Sequence, residues 1–225
     1  MQIVYRFVLK DGTQHRFSVD LDRGPPAAGA APEWTRLGFH QCANCPLQPE
    51  QSPRCPPAVD LAPVIAAFAP IISHDQARVE VETPERTISK DCQVQQALSS
   101  LVALIMATSA CPILGQLRGL ARTHLPLATL EETLYRSVSA YVMGQLLVHQ
   151  EGGQPDWNLD GLKTLYAELE TLNVHFKKRV NAAAKQDAAI NAVAALGVLS
   201  MGVGFSIDAP WDELAQFVIP TAGSP

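Results

Sequence analysis

Hydrophobic and polar residues alternate along the first 22 positions with period two, the signature of half-buried strands. In TQHRFSVDLD, His15, Phe17, Val19 and Leu21 fall on one face, and Gln14, Arg16, Ser18 and Asp20 on the other. The run before it, QIVYRFVL, is rich in β-branched and aromatic residues. Asp11-Gly12 between the two suits a tight primed turn, because both residues tolerate positive φ. The pattern predicts an antiparallel hairpin. RGPPAAGAAP then ends it, and a proline-rich loop with three cysteines runs on to Pro57.

Further on the period lengthens. VDLAPVIAAFAP predicts a short helix with Asp60 as N-cap and Pro63 in its first turn. ARVEVETPERTIS alternates Val79 and Val81 with acidic residues and predicts a third strand. Beyond it the chain reads as helical. Val94, Leu98, Leu101, Val102 and Ile105 mark a helix apolar nearly all round, hence central. Thr129 and Glu132 form a capping box that opens a helix running to about His149, where Gly152-Gly153 stops it. Leu162, Leu165, Leu169, Leu172, Phe176 and Val180 stripe the next one. Another helix follows Asp187, and DAPWDELAQFV announces a last short one. The fold class is α+β: a small N-terminal antiparallel β-hairpin or sheet, then a mainly α-helical bundle of about five helices. The expectation is a single domain over 1–225. Residues 1–88 hold the hairpin, Cys/Pro-rich loop, short helix and third strand; residues 89–225 hold the bundle.

Composition sharpens this picture. The chain of 225 residues is 47% apolar but only 17% charged, with apolar content dominated by Ala, Leu and Val, which suits closely packed helices. A net charge of −5 leaves no electrostatic footprint for nucleic acid. The basic cluster HFKKR at 175–179 reads as a solvated helix face. MQIVYRFVLKDG is broken by Arg6 and followed by no small-residue cleavage site, so it does not read as a signal peptide. No 18 residues are uninterruptedly apolar. The nearest stretch, 190–205, carries Ser200 and glycines and reads as a buried helix rather than a membrane span. A cytoplasmic location is the expectation, and there clustered thiols serve as metal ligands or redox groups more often than as disulfides.

The five cysteines differ. Cys45, Cys55 and Cys111 each precede a proline, which keeps them out of helical geometry. Cys111, with Pro112 behind it, is expected at a helix N-terminus, where a thiolate is favoured. Cys92 is expected in the first turn of the central helix. Cys42, Cys45, Cys55 and Cys111 form one candidate metal quartet, since Cys-x-x-Cys lets one loop supply two tetrahedral ligands. A local rival is His40, Cys42, Cys45 and Cys55. Zinc or an iron–sulfur cluster is the expected occupant, with haem a lesser option because Cys-Pro pairs also ligate haem. A Cys42–Cys45 dithiol or ordinary free thiols are the competing readings. His124 could be an additional ligand or an acid–base group, though a polar loop residue capping a helix end is the simpler reading. His149 and His175 read as core-edge residues, and Glu131 and Glu132 belong to helix initiation. No P-loop, nucleophile elbow, H-E-x-x-H or strand-linked G-x-G-x-x-G is present in the sequence.

CANCPL, RCPPAVDL, VETPERTISK, LIMATSACP and HLPLATLEETLYR together resemble an uncharacterised bacterial family, a domain of unknown function of about this length. The resemblance implies a soluble bacterial protein and supplies no activity. Its pattern matches Cys42, Cys45, Cys55, Cys111 and His124, and does not call for Cys92. Three functions are set against one another. The leading one is a Cys-ligated metal protein. The others are a helical scaffold that binds itself or a protein partner, favoured by the apolar terminal helices, and a dithiol redox protein. None involves nucleic acid or a membrane.

Overall fold

The hairpin forms where the alternation puts it. Strand β1 (Gln2–Leu9) pairs antiparallel with β2 (Gln14–Asp20), with Tyr5 opposite Phe17 and Phe7 opposite His15. The computed structural model describes residues 1–24, 31–184 and 187–208. The short helix expected beyond Asp208 lies outside the described residues. The connection between β1 and β2 differs from a primed two-residue turn. Leu9 N–H donates to Thr13 O at 2.9 Å and only Gly12 takes positive φ (86°), so Asp11 keeps ordinary geometry. This is the three-residue loop in which glycine alone supplies the left-handed step.

The sheet is larger than expected. After β3 (Gln76–Glu82) the chain turns at 83–86 into β4 (Thr87–Gln93), giving a four-stranded antiparallel sheet in the order β2-β1-β3-β4. TISKDCQ hides as a strand because it lies at the sheet edge, where charged residues such as Lys90 and Asp91 face water and block further pairing. Cys92 is therefore the penultimate residue of β4, not part of a helix. It is buried against the core opposite Ala77.

One sheet face buries Ile3, Tyr5, Phe7, Val19, Val79 and Val81 against helices α1 (Pro56–Phe68) and α2 (Val94–Ala107). Phe7 meets Phe68 edge-on with centroids 5.0 Å apart, and Tyr5 Oη is 2.8 Å from Ser100 Oγ on α2. Helix α1 starts four residues before its predicted cap. Cys55 is the N-cap and Pro56-Pro57 fill the first turn, where a missing N–H costs nothing. Asp60 lies inside the helix and pairs with Arg23 at 2.9 Å; Arg23 also donates to Ile105 O and Thr108 Oγ1, joining the segment after β2 to α1 and the end of α2. Pro63 is interior and forfeits one helical bond.

Helix α2 is central, as its all-round apolarity requires. A 3-10 turn (Leu114–Leu117) and the short α3 (Arg118–Arg122) lead to α4 (Leu130–Gln150), opened by the predicted capping box: Glu132 N–H donates to Thr129 Oγ1 at 3.1 Å, and Thr129 N–H to Glu132 Oε2 at 2.8 Å. Helix α5 (Asp160–Asn181) buries its whole leucine stripe and packs most extensively on α6 (Ala188–Asp208). Helix α6 was expected to be buried, but only one face is. Ala188, Ala192, Val193, Leu196 and Val203 pack inward, while Val198, Met201 and Phe205 point outward. By length and composition it is the one described helix that could cross a membrane. A single hydrophobic cluster runs from the sheet through α1 and α2 into α5 and α6.

Candidate functional site: a buried thiol cluster

The cysteine loop is built by backbone pairing rather than by regular elements. Cys45 N–H donates to Cys42 O at 3.1 Å, closing Cys-x-x-Cys into a tight turn. Cys55 N–H donates to Thr35 O at 2.8 Å, and Leu37 N–H to Pro53 O at 3.0 Å. Asn44 Nδ2 reaches Glu168 O on α5 at 3.0 Å and pins the turn to that helix. Cys111 arrives from the end of α2, fixed by Gly115 N–H donating to Cys111 O at 2.8 Å. These constraints bring Cys42, Cys45, Cys55 and Cys111 around one cavity of about 20 Å³, whose other walls include Leu37, Pro46, Leu172 and Phe176. That space is the size of one water molecule.

Cys55 and Cys111 are buried and Cys42 and Cys45 half-buried; all are free thiols. The thiolate expected at Cys111 is not favoured. Burial pushes this thiol up, and the lowering by the Leu114 and Ile113 amides does not offset it. Burial likewise pushes Cys42 up to about 12, helped by Cys55 and Cys45, and Cys55 to about 11. A thiol held protonated is a poor nucleophile, which weighs against Cys42 as the attacking group of a Cys42–Cys45 dithiol. Among the described residues no three His, Cys, Asp or Glu side chains already stand in a group that could hold a metal ion. The thiols border the cavity without closing on a common point.

The histidines stand apart. His40, at positive φ (47°), lies edge-on to Phe39 and does not line the cavity. His124 is elsewhere: its Nε2 is 2.5 Å from Tyr5 Oη, and it borders a second cavity of about 200 Å³. Burial, then the nearby Arg136, push it down to about 4. It is neutral near pH 7. His149 rests beside Trp157, and His175 Nδ1 is 2.9 Å from Thr171 O.

The residue that the sequence reading missed is Arg179. Read as part of a solvated basic face, it is only 1% exposed. Its Nη1 donates to Trp34 O at 2.7 Å and Arg36 O at 2.6 Å, and Nη2 to Leu37 O at 2.9 Å, so α5 clamps the loop from inside. Nε is buried and unpartnered, and among the described residues the guanidinium pairs with no carboxylate. Burial lowers its proton affinity, while Cys55, Cys42 and Cys45 act in the other direction. The signal was present: position 179 follows Leu172 and Phe176 at helical spacing, in phase with the core stripe, while Lys177 and Lys178 are out of phase.

Residues 3–218 match the model of a family described as Domain of unknown function (DUF6901). No curated protein and no solved structure matches the chain.

Proposed function

The chain belongs to the DUF6901 family, and from its own residues we propose that it is a metal-binding protein in which Cys42, Cys45, Cys55 and Cys111 hold a single zinc ion. The observation that carries this reading is charge. Arg179 is a buried cation with an unpartnered Nε and no carboxylate among the described residues, and three of the four thiols lie within its electrostatic reach. A buried charge needs a counter-charge. Protonated thiols carry no charge to offset it, whereas four thiolates on a divalent ion carry a net charge of −2. The cavity's one-water size favours a lone ion over haem or a four-iron cluster. Four cysteine ligands leave no open position, so the ion is structural. It would tie the proline-rich loop to the start of α1 and the end of α2. Binding has to draw the thiols inward, so the loop tightens when loaded.

The test is metal content and visible absorption of untagged protein purified anaerobically without chelator. One zinc per colourless chain is expected. Cys111→Ser should lose it and Cys92→Ser retain it, because Cys92 is on β4 away from the cavity. A brown chromophore would replace zinc by an iron–sulfur cluster on the same ligands. No metal, with all five thiols titratable, would refute ligation.

A second reading, a helical scaffold, is favoured by large apolar side chains left exposed on α4 and α6. Tyr135, Met143, Leu146 and Leu147 lie on one, and Val198, Met201 and Phe205 on the other. A second copy of the chain is the occupant that this reading names. Concentration-dependent sedimentation that ignores chelator and weakens in Phe205→Ser supports it; a monomer at every concentration removes it.

A further inference from the structure

The second cavity carries an inference of its own, independent of the thiol cluster. It opens where α2, α3, α4, α5 and α6 meet and has a volume of about 200 Å³. Helix α2 gives its wall a row of small side chains beside the larger Gln96, Leu104 and Met106. Ser99, Ser100, Ala103 and Ala107 recur at helical spacing along that face. Across from them stand leucines of the turn before α3, of α5 and of α6, among them Leu117, Leu169 and Leu196. An apolar hollow with a few convergent polar groups is the usual form of a small-molecule site.

Its polar end is specific in sign. Arg136 is the one charged residue in the lining. Its Nη2 donates to Leu120 O at 2.9 Å and Thr123 O at 2.6 Å, which holds the guanidinium at the α3 end of the cavity. No carboxylate among the described residues pairs with it. Glu132, one turn earlier on α4, is turned away into the capping box. Beside Arg136 are the neutral His124 and Tyr166, whose Oη is 2.6 Å from Ser137 Oγ. The cation therefore has no direct ion-pair partner among the described residues, Glu132 acting on it only through space, and the polar end stands against mostly apolar walls.

We propose that this cavity binds a short amphiphile with an anionic head, a medium-chain carboxylate, whose carboxylate sits on Arg136 and whose tail lies along the small-residue face of α2. The volume is about ten times that of the one-water thiol cavity, so the occupant is short. Guanidinium suits a carboxylate because its planar fork can donate two parallel bonds.

The experiment is titration calorimetry of the full chain with octanoate, octanol and octylamine in parallel at pH 7. Octanoate is expected to bind once per chain, at least tenfold more tightly than octanol, and octylamine more weakly than either. Arg136→Gln should remove the preference for octanoate while leaving octanol binding in place. Ala103→Phe should fill the hollow and abolish binding of both. Because Arg136 also holds backbone carbonyls, its variant is read only where the thermal transition persists, and the wild-type ligand series stands without it. Absence of saturable octanoate binding, octanoate no better than octanol, or full binding in a folded Ala103→Phe variant would each overturn the proposal.

Discussion

At the scale of single residues, burial decides the chemistry. Arg179 satisfies three carbonyls of the cysteine loop. Replacing it by Met strands those acceptors in the interior, at a cost of about 3 kcal/mol or more. Equilibrium denaturation should show that loss, and metal content should fall with it; a Met variant of full stability would remove Arg179 from the site. His124 sets a pH dependence. In the unfolded chain it takes a proton near 6.5, whereas the folded protein resists protonation until about 4. The unfolded state therefore binds the extra proton between those values. The contribution to stability is complete above the unfolded value and is lost as pH falls from about 6.5 to 4, by up to about 3 kcal/mol. His124→Gln should flatten that part of the stability–pH curve, as denaturation at pH 7, 5 and 4 would show.

At the scale of elements, the local signals were strong where a cap or a period is a property of neighbouring residues. The box at Thr129 and Glu132, the stripe of α5 and the alternation of β2 are all of that kind. Thr129→Ala should cost about 1 kcal/mol, since it removes the acceptor of one otherwise orphan amide; a thermal melt checks it. The misses have a common cause. Strand β4 owes its existence to β3 beside it rather than to its own charged sequence. Helix α1 begins at Cys55 because the loop pairing at Thr35 ends there, not because Asp60 caps it. Cys92 and Cys111 were misplaced by the same short-range logic: one belongs to an edge strand, and the other lies in a turn whose burial outweighs nearby amides.

At the scale of the whole molecule, the sheet and helices share one core, with the thiol loop strapped across its rim by α5. A zinc ion bound there, as proposed, would add a crosslink between segments far apart in sequence. Free zinc at a thousandfold its dissociation constant should then stabilise the chain by about 4 kcal/mol over chelated protein. Hydrogen exchange should slow in residues 42–55 rather than in the distant sheet. Protection that is equal in both states would mean that the loop gains nothing from the ion.

The sequence by itself determined the α+β class, the hairpin, the capped start and the end of α4, and the core stripe of α5. Each of these follows from periodicity, turn chemistry or capping, and all act within a few residues. Only the tertiary structure decided that the four thiols share a cavity without His40 or His124, that Arg179 is buried within electrostatic reach of three of them, and that a second hollow lies between α2 and Arg136. Those are matters of packing between segments far apart in sequence, and local pattern carries no information about which faces meet.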